Sequence, residues 1–163
     1  MKKLLVVRHA KSSWDDIRQT DFERPLNERG KRDAPDMAKR LNDKGIVPDL
    51  LVSSPAKRAF STAKLFAKEF GIAEEKIHLE EKLYHPEEQN IFNIISRLPG
   101  FADTVIIFSH NPGISGFVNM LTNTRIDHMP TAAIFAVNIK SEEWSDFENA
   151  EKEFWFFDYP KSQ

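Results

Sequence analysis

The sequence predicts an α/β fold in which helices cover both faces of a mainly parallel central sheet, a three-layer αβα sandwich. Two observations predict it. Short aliphatic runs, such as Leu4–Val7 and Thr104–Phe108, are typical of strands that are buried on both faces. Between such runs lie segments whose apolar residues recur every three or four positions, as on one side of a helix. Strands that alternate with helices favour parallel pairing, with helices on both faces of the sheet.

The predicted elements follow one another along the whole chain. The first strand, Leu4–Val7, is followed by a polar loop over Ala10–Pro25 and by a helix that Asn27 caps and that ends near Gly45. The remaining elements, in chain order, are a strand over Asp49–Ser53, a helix from Ala59 to Phe70 closed by Gly71, a short strand over Ile77–Leu79, a helix around Ile91–Leu98, a strand over Thr104–Phe108, a helix around Ile114–Leu121, and closing strands over Ala133–Ile139 and Phe154–Phe157. We expect residues 1–163 to form one domain.

Composition excludes several classes of protein. The chain has no cysteine, which rules out disulfides, thiol catalysis and zinc sites built on thiolates. A net charge of −2 gives no reason to expect nucleic acid or an anionic membrane as a partner. The apolar runs are far too short to cross a membrane, and the one that precedes Arg8 is too short for an export signal. We therefore expect a cytoplasmic protein.

Nitrogen-rich side chains follow three of the predicted strands. Arg8 and His9 come directly after the first strand, His110 comes just after Thr104–Phe108, and Arg58 lies in the first turn of the helix after the second strand. In α/β folds, ligands bind at the carboxyl ends of the strands. Each of these residues alone is more often an ion-paired, capping or solvated side chain. Together they predict a phosphate pocket, because arginine matches phosphate oxygens and histidine is able to attack phosphorus.

Four segments carry a resemblance to a known family. They are Arg8-His9-Ala10, RPLNERG from Arg24, SSPAKRAFSTA from Ser53, and SHNPGIS from Ser109. They resemble the histidine phosphatase superfamily, also called the phosphoglycerate mutase-like family, whose signature is Arg-His-Gly after the first strand. Within it, the short chain and its motifs look like the SixA-type phosphohistidine phosphatases. The resemblance covers most of the chain and implies a phosphoglycerate mutase-like fold.

The resemblance also implies a role for each matching residue. His9 would be the nucleophile that becomes phosphorylated, and Arg8, Arg58 and His110 would bind the phosphoryl oxygens. The family uses no metal and no other cofactor. Elementary electrostatics agrees with this, because fixed cations near a transferring phosphoryl group supply most of the catalysis. None of the five histidines has the HExxH spacing of a zinc site.

Two carboxylates are candidates for the proton donor that an ester leaving group needs. Glu81, which precedes Tyr84, matches by position the glutamate of mutase-like members, although it also reads as a solvated surface charge. Asp15 follows Trp14 near the predicted pocket, where it either donates a proton or points away. A phosphohistidine substrate relaxes this requirement, because its labile phosphorus–nitrogen bond breaks readily once the imidazole is protonated.

Three hypotheses about function follow. The leading one is a metal-free phosphatase that acts on a phosphorylated protein, such as a histidine-containing phosphotransfer domain. The second is a phosphatase for small phosphate esters, with Glu81 or Asp15 as its acid, and the third is a phosphate-binding protein without turnover. Only about ten residues, Tyr84–Asn93, separate the third strand from the next helix, so we expect an open site without the cap of a mutase.

Overall fold

The middle layer of the fold is a mixed sheet of six strands. The structure is a computed structural model that describes residues 1–161. Its strands are β1 (Lys2–Arg8), β2 (Leu50–Ser53), β3 (His78–Leu79), β4 (Thr104–Ser109), β5 (Ile134–Ile139) and β6 (Lys152–Asp158). Their order across the sheet is β3-β2-β4-β1-β5-β6. The pairs β3–β2, β2–β4 and β4–β1 are parallel, whereas β1–β5 and β5–β6 are antiparallel. The prediction of a mainly parallel sheet is therefore confirmed.

Helices cover both faces of this sheet. They are α1 (Glu28–Asp43), α2 (Lys57–Phe70), α3 (Glu88–Ser96) and α4 (Gly113–Val118). Successive residues of β1 point to opposite faces: Leu5 packs in one cluster with Phe66 of α2, and Leu4 packs in the other with Phe117 of α4. The residues of both clusters are buried, one cluster on each face of the sheet, which confirms the predicted αβα sandwich. No helix within residues 1–161 is long and apolar enough to cross a membrane.

The start of α1 is built to pack against the loop that follows His9. The Asn27 side chain caps the helix by accepting a hydrogen bond from the Gly30 backbone N–H at 2.9 Å, as its position in the sequence predicts. A Cβ at Gly30 would overlap the carbonyl oxygen of Lys11. Glycine is therefore required here for the close approach of the two backbones. This contact fixes the start of the segment that leads out of β1.

Candidate active site

The register of the sheet brings two histidines together. β1 pairs with β4 so that Arg8 lies opposite Ser109, and the next residues, His9 and His110, therefore leave neighbouring strands at the same level. Their ring centroids are 5.1 Å apart. Ser54, which follows the adjacent strand β2, lies within 2.7 Å of His110, from its Oγ to Nε2 of the ring. Three parallel strands thus end at one site, as the strand-end rule predicts.

A pocket of about 310 Å³ opens at these strand ends. Its lining residues are Arg8, His9, Lys11, Ser12, Trp14, Asp21, Arg24, Arg58, His85, His110, Asn111 and Thr131. The lining contains four cationic side chains and one carboxylate. Such an excess of positive charge in a concave site favours an anionic ligand with several oxygens.

His9 is held in the form that is able to act as a nucleophile. The residue is 6% exposed, and its Nδ1–H donates a hydrogen bond to the Ala10 carbonyl oxygen at 2.7 Å. Nε2 therefore carries the lone pair, and Nε–H of Arg58 points at it from 3.4 Å. Burial, together with the positive charges of Arg58 and Arg8, lowers the pKa of His9 to about 3, although the hydrogen bond to Ala10 acts in the opposite direction. The imidazole is consequently neutral at physiological pH.

Two buried donors in the pocket lack a partner within residues 1–161: Nε of Arg8 and Nδ1 of His110. The Ser54 Oγ accepts from the Ala56 backbone N–H at 3.2 Å, so its own proton is free to go to Nε2 of His110. That arrangement leaves the proton of the neutral His110 ring on Nδ1. Burial is the largest cause that lowers the pKa of His110, and the nearby positive charge of Arg58 lowers it further, so the ring is neutral. Unpaired buried donors are costly, and phosphoryl oxygens would satisfy both.

Asp21 holds Arg58 in place beside His9. Arg58 donates from Nη1 to the Asp21 carbonyl oxygen at 2.6 Å and from Nη2 to its carboxylate at 3.0 Å. The same carboxylate accepts from the Tyr84 hydroxyl at 2.7 Å and from Nη1 of Arg24 at 3.0 Å. Burial alone would raise the pKa of Asp21, but the hydrogen bonds from Tyr84 and Arg58 hold it well below its usual range. The carboxylate is therefore ionised and acts as a fixed anchor for the arginines.

Arg24 ties the loop after β1 to the pocket. It is 7% exposed, donates from Nε to the Ser13 carbonyl oxygen at 3.1 Å, and hydrogen-bonds the Ser12 hydroxyl. Its guanidinium carbon lies 3.2 Å from the centroid of the Trp14 ring. Sequence reasoning missed Arg24 and Asp21 as site residues. The available signal was that Arg24 opens the RPLNERG segment and Asp21 precedes it by three positions.

Comparison with known proteins gives a family match for the first half of the chain. Residues 4–85 match the family model of the histidine phosphatase superfamily (branch 1). The chain belongs to this superfamily. The matched residues include Arg8, His9 and Arg58. They also include both of the carboxylates predicted as proton donors, Asp15 and Glu81.

Individual relatives extend the similarity. An uncharacterised chloroplast protein of Arabidopsis thaliana is 33% identical over 134 residues, which cover 77% of this chain and 61% of the relative. A proposed phosphohistidine phosphatase SixA from Agrobacterium tumefaciens has a similar crystal structure, with a TM-score of 0.83, 22% identity, and coverage of 98% of this chain and 99% of that one. The structure of a protein histidine phosphatase SixA with tungstate gives a TM-score of 0.81 at 19% identity, covering 96% of each chain. These structural matches show a shared fold.

The two predicted acids are not among the residues that line the pocket. Glu81 begins a 3-10 helix, Glu81–Leu83, in which Leu83 is buried and Glu81 is exposed. Asp15 is also exposed, and its backbone N–H donates to the Ser13 hydroxyl at 3.0 Å. Neither residue lines the pocket. The other four predicted site residues, Arg8, His9, Arg58 and His110, all line it.

Within residues 1–161, no group of three or more histidine, aspartate or glutamate side chains is arranged to hold a metal ion.

The buried state of His9 predicts a loss of stability in acid. Its pKa is lowered from 6.5 to about 3 in the folded state, so the unfolded chain binds more protons as the pH falls below 6.5. Linkage then lowers the free energy of unfolding by about 2 kcal/mol between pH 7 and pH 5 for this residue alone. Urea unfolding of wild type and His9→Gln at both pH values measures it. The variant should lose about 2 kcal/mol less than wild type, and an identical loss in both would contradict the prediction.

Proposed function

We propose that this chain is a metal-free phosphatase that carries the phosphoryl group on Nε2 of His9 and uses a protein phosphohistidine as its substrate. One observation carries the proposal: a neutral, buried histidine has its lone pair beside an arginine, in a pocket with four cationic side chains. A buried cationic pocket of this size suits a phosphoryl group, and a neutral imidazole inside it suits attack on phosphorus.

The first half of the reaction transfers the phosphoryl group to the enzyme. Its oxygens accept hydrogen bonds from Nε of Arg8, from the Arg58 guanidinium and from Nδ1 of His110. Nε2 of His9 then forms a bond to phosphorus while the bond to the leaving nitrogen breaks on the opposite side. The hydrogen bond from Nδ1 to Ala10, at 2.7 Å, keeps the ring oriented and stabilises the positive charge that it gains.

The second half of the reaction returns the enzyme to its resting form. A water molecule attacks phospho-His9 from the side that the leaving group has vacated, the bond between phosphorus and Nε2 breaks, and orthophosphate departs. The cations that bound the substrate stabilise this transition state as well, because the charge on the phosphoryl oxygens is the same. His9 is left neutral, with its proton on Nδ1.

Two observations favour a phosphohistidine over a phosphate ester. Glu81 and Asp15 do not line the pocket, and a phosphorus–nitrogen bond needs a weaker acid than an ester bond does. The segment between β3 and α3, residues 80–87, contains one short 3-10 helix and no inserted domain, which leaves room for a protein surface. The similar SixA structures are described as histidine phosphatases, and one of them holds tungstate, an oxyanion like phosphate.

A paired assay tests this function. Wild type is given a histidine-phosphorylated phosphotransfer domain and, separately, an aryl phosphate, both in EDTA. We expect faster loss of phosphohistidine than of the ester, with the same rates when Mg²⁺ replaces EDTA. Faster ester hydrolysis would indicate a phosphatase for small esters. Thermal stabilisation by phosphate without turnover of either substrate would indicate a binding protein.

A further inference from the structure

The pocket contains one histidine that neither the attack on phosphorus nor the binding of the phosphoryl oxygens uses. Among the residues that line it, Asp21 is held ionised by its hydrogen bonds, and Arg8, Arg24 and Arg58 do not release protons. His9 is assigned to the attack. We propose that His85 is the catalytic residue that protonates the leaving nitrogen. This inference rests on the proposed function and adds a residue to it.

His85 lies where a leaving group would depart. It lines the same pocket as His9, and its side chain is 62% exposed, which places it at the mouth. The ring centroids of His85 and His110 are 6.2 Å apart. In an in-line displacement the leaving group lies opposite the nucleophile. With His9 at the base of the pocket, the leaving nitrogen points to the mouth and therefore toward His85.

Asp21 prepares His85 for this role. Nε2 of His85 is 3.6 Å from the carboxylate of Asp21, which its hydrogen bonds to Tyr84 and Arg58 keep ionised. The His85 ring also lies against that of Tyr84, with centroids 4.1 Å apart and 34° between the ring planes, and the Tyr84 hydroxyl donates to the same carboxylate at 2.7 Å. The anchor that holds Arg58 over His9 thus also orients the proposed acid. Imidazole is the side chain that changes charge most readily near neutral pH.

The backbone gives an independent reason to assign His85 a function. Its φ is 50°, in the left-handed region that favours glycine, and within residues 1–161 only Ala132 shares this property among the other residues that are not glycine. The next residue, Pro86, packs so tightly on the start of α4 that a Cβ at Gly113 would overlap its carbonyl oxygen. A strained residue held by tight packing is a recurring feature of functional sites.

The proton balance of both steps follows. In the first step, protonated His85 gives its proton to the substrate nitrogen as the phosphorus–nitrogen bond breaks, so that neutral imidazole leaves and His85 becomes neutral. In the second step, His85 takes a proton from the water that attacks phospho-His9. Orthophosphate forms, the bond to Nε2 breaks, and His85 is protonated again.

The test compares leaving groups that differ in their need for a proton. The variants are His85→Asn, which tolerates the left-handed backbone but cannot release a proton, and His85→Gly, which leaves space for added imidazole. The substrates are phenyl phosphate and p-nitrophenyl phosphate, and kcat/KM is used because it ends at departure of the leaving group. We expect a loss of about 10²-fold or more with phenyl phosphate and little change with p-nitrophenyl phosphate.

Two further readouts separate chemistry from folding. Added imidazole should restore turnover of phenyl phosphate by His85→Gly, which a structural defect would not permit. His78→Asn is the matched control, because His78 is 57% exposed, pairs with Glu80 at 3.2 Å and lies outside the pocket; it should leave both rates unchanged. Equal losses on both substrates, or no rescue, would overturn the role of His85 and leave the proposed phosphatase intact. A wild type without turnover of these esters and of a histidine-phosphorylated phosphotransfer domain would overturn both.

Discussion

Replacement of His9 by alanine is expected to abolish turnover, with a fall in kcat of about 10⁴-fold or more on phosphohistidine and aryl phosphate substrates alike. The reason is that Nε2 of His9 is the neutral nitrogen beside Arg58, and without it the phosphoryl group has no acceptor in the pocket. The measurement is turnover together with transfer of radioactive phosphate from substrate to protein. Wild type should carry an acid-labile label, and His9→Ala should carry none.

Loss of turnover in His9→Ala has to be separated from loss of the pocket. Arg8, Arg58 and His110 are unchanged in this variant, so inorganic phosphate should still raise its melting temperature. His78→Ala, at an exposed position outside the pocket, serves as a control with full activity. Label on His9→Ala, or turnover close to that of wild type, would show that another residue accepts the phosphoryl group.

Much of the fold could be predicted because its signals are local. The cap at Asn27 begins α1, and the left-handed Gly71, with φ of 69°, ends α2, both where the sequence places them. The aliphatic run in β1 identifies a strand covered on both faces. The pairing of β1 with β4 is a different matter, since it joins residues about a hundred positions apart, as Arg8 and Ser109 illustrate. No periodic pattern in the sequence indicates which strands pair. The convergence of His9 and His110 is predicted only by the strand-end rule together with the family motifs.

The residues of the site also fall into two groups, those that the sequence predicts and those that it does not. His9 and His110 follow regular strands, so their convergence could be inferred. Asp21 lies in a polar loop without periodicity, and its partners Arg58 and Tyr84 are 37 and 63 residues away in the chain. No periodic pattern in the sequence indicates contacts over such separations, and the only signal for Asp21 is its place three positions before the RPLNERG segment.

Glu81 illustrates the opposite case, a position that matches a family residue. The match does not fix the direction of the side chain in the 3-10 helix Glu81–Leu83, where burial of Leu83 leaves Glu81 exposed. Whether Glu81 or Asp15 donates a proton stays a prediction, and the leaving-group assay applied to Glu81→Gln would measure it.

The second large effect is expected at Arg58. Arg58→Ala should lower kcat/KM by about 10³- to 10⁵-fold, the range seen when an arginine that stabilises phosphoryl transfer is removed. Arg58→Lys should recover little of this, because the guanidinium makes three contacts at once, one to His9 and two to Asp21. A single ammonium group cannot reproduce that fork. Steady-state kinetics with an aryl phosphate measures the loss.

The matched control for Arg58 is its neighbour in the first turn of α2. Lys57 is exposed and does not line the pocket around His9, so Lys57→Ala should keep the rate of wild type.

Removal of the Arg58 charge should also raise the pKa of His9, because repulsion from Arg58 is one of the causes that lower it. Nitrogen NMR of the imidazole checks that shift. Full activity in Arg58→Lys would contradict the fork geometry, since it would show that positive charge alone, without the bonds to Asp21, is sufficient for transfer to His9.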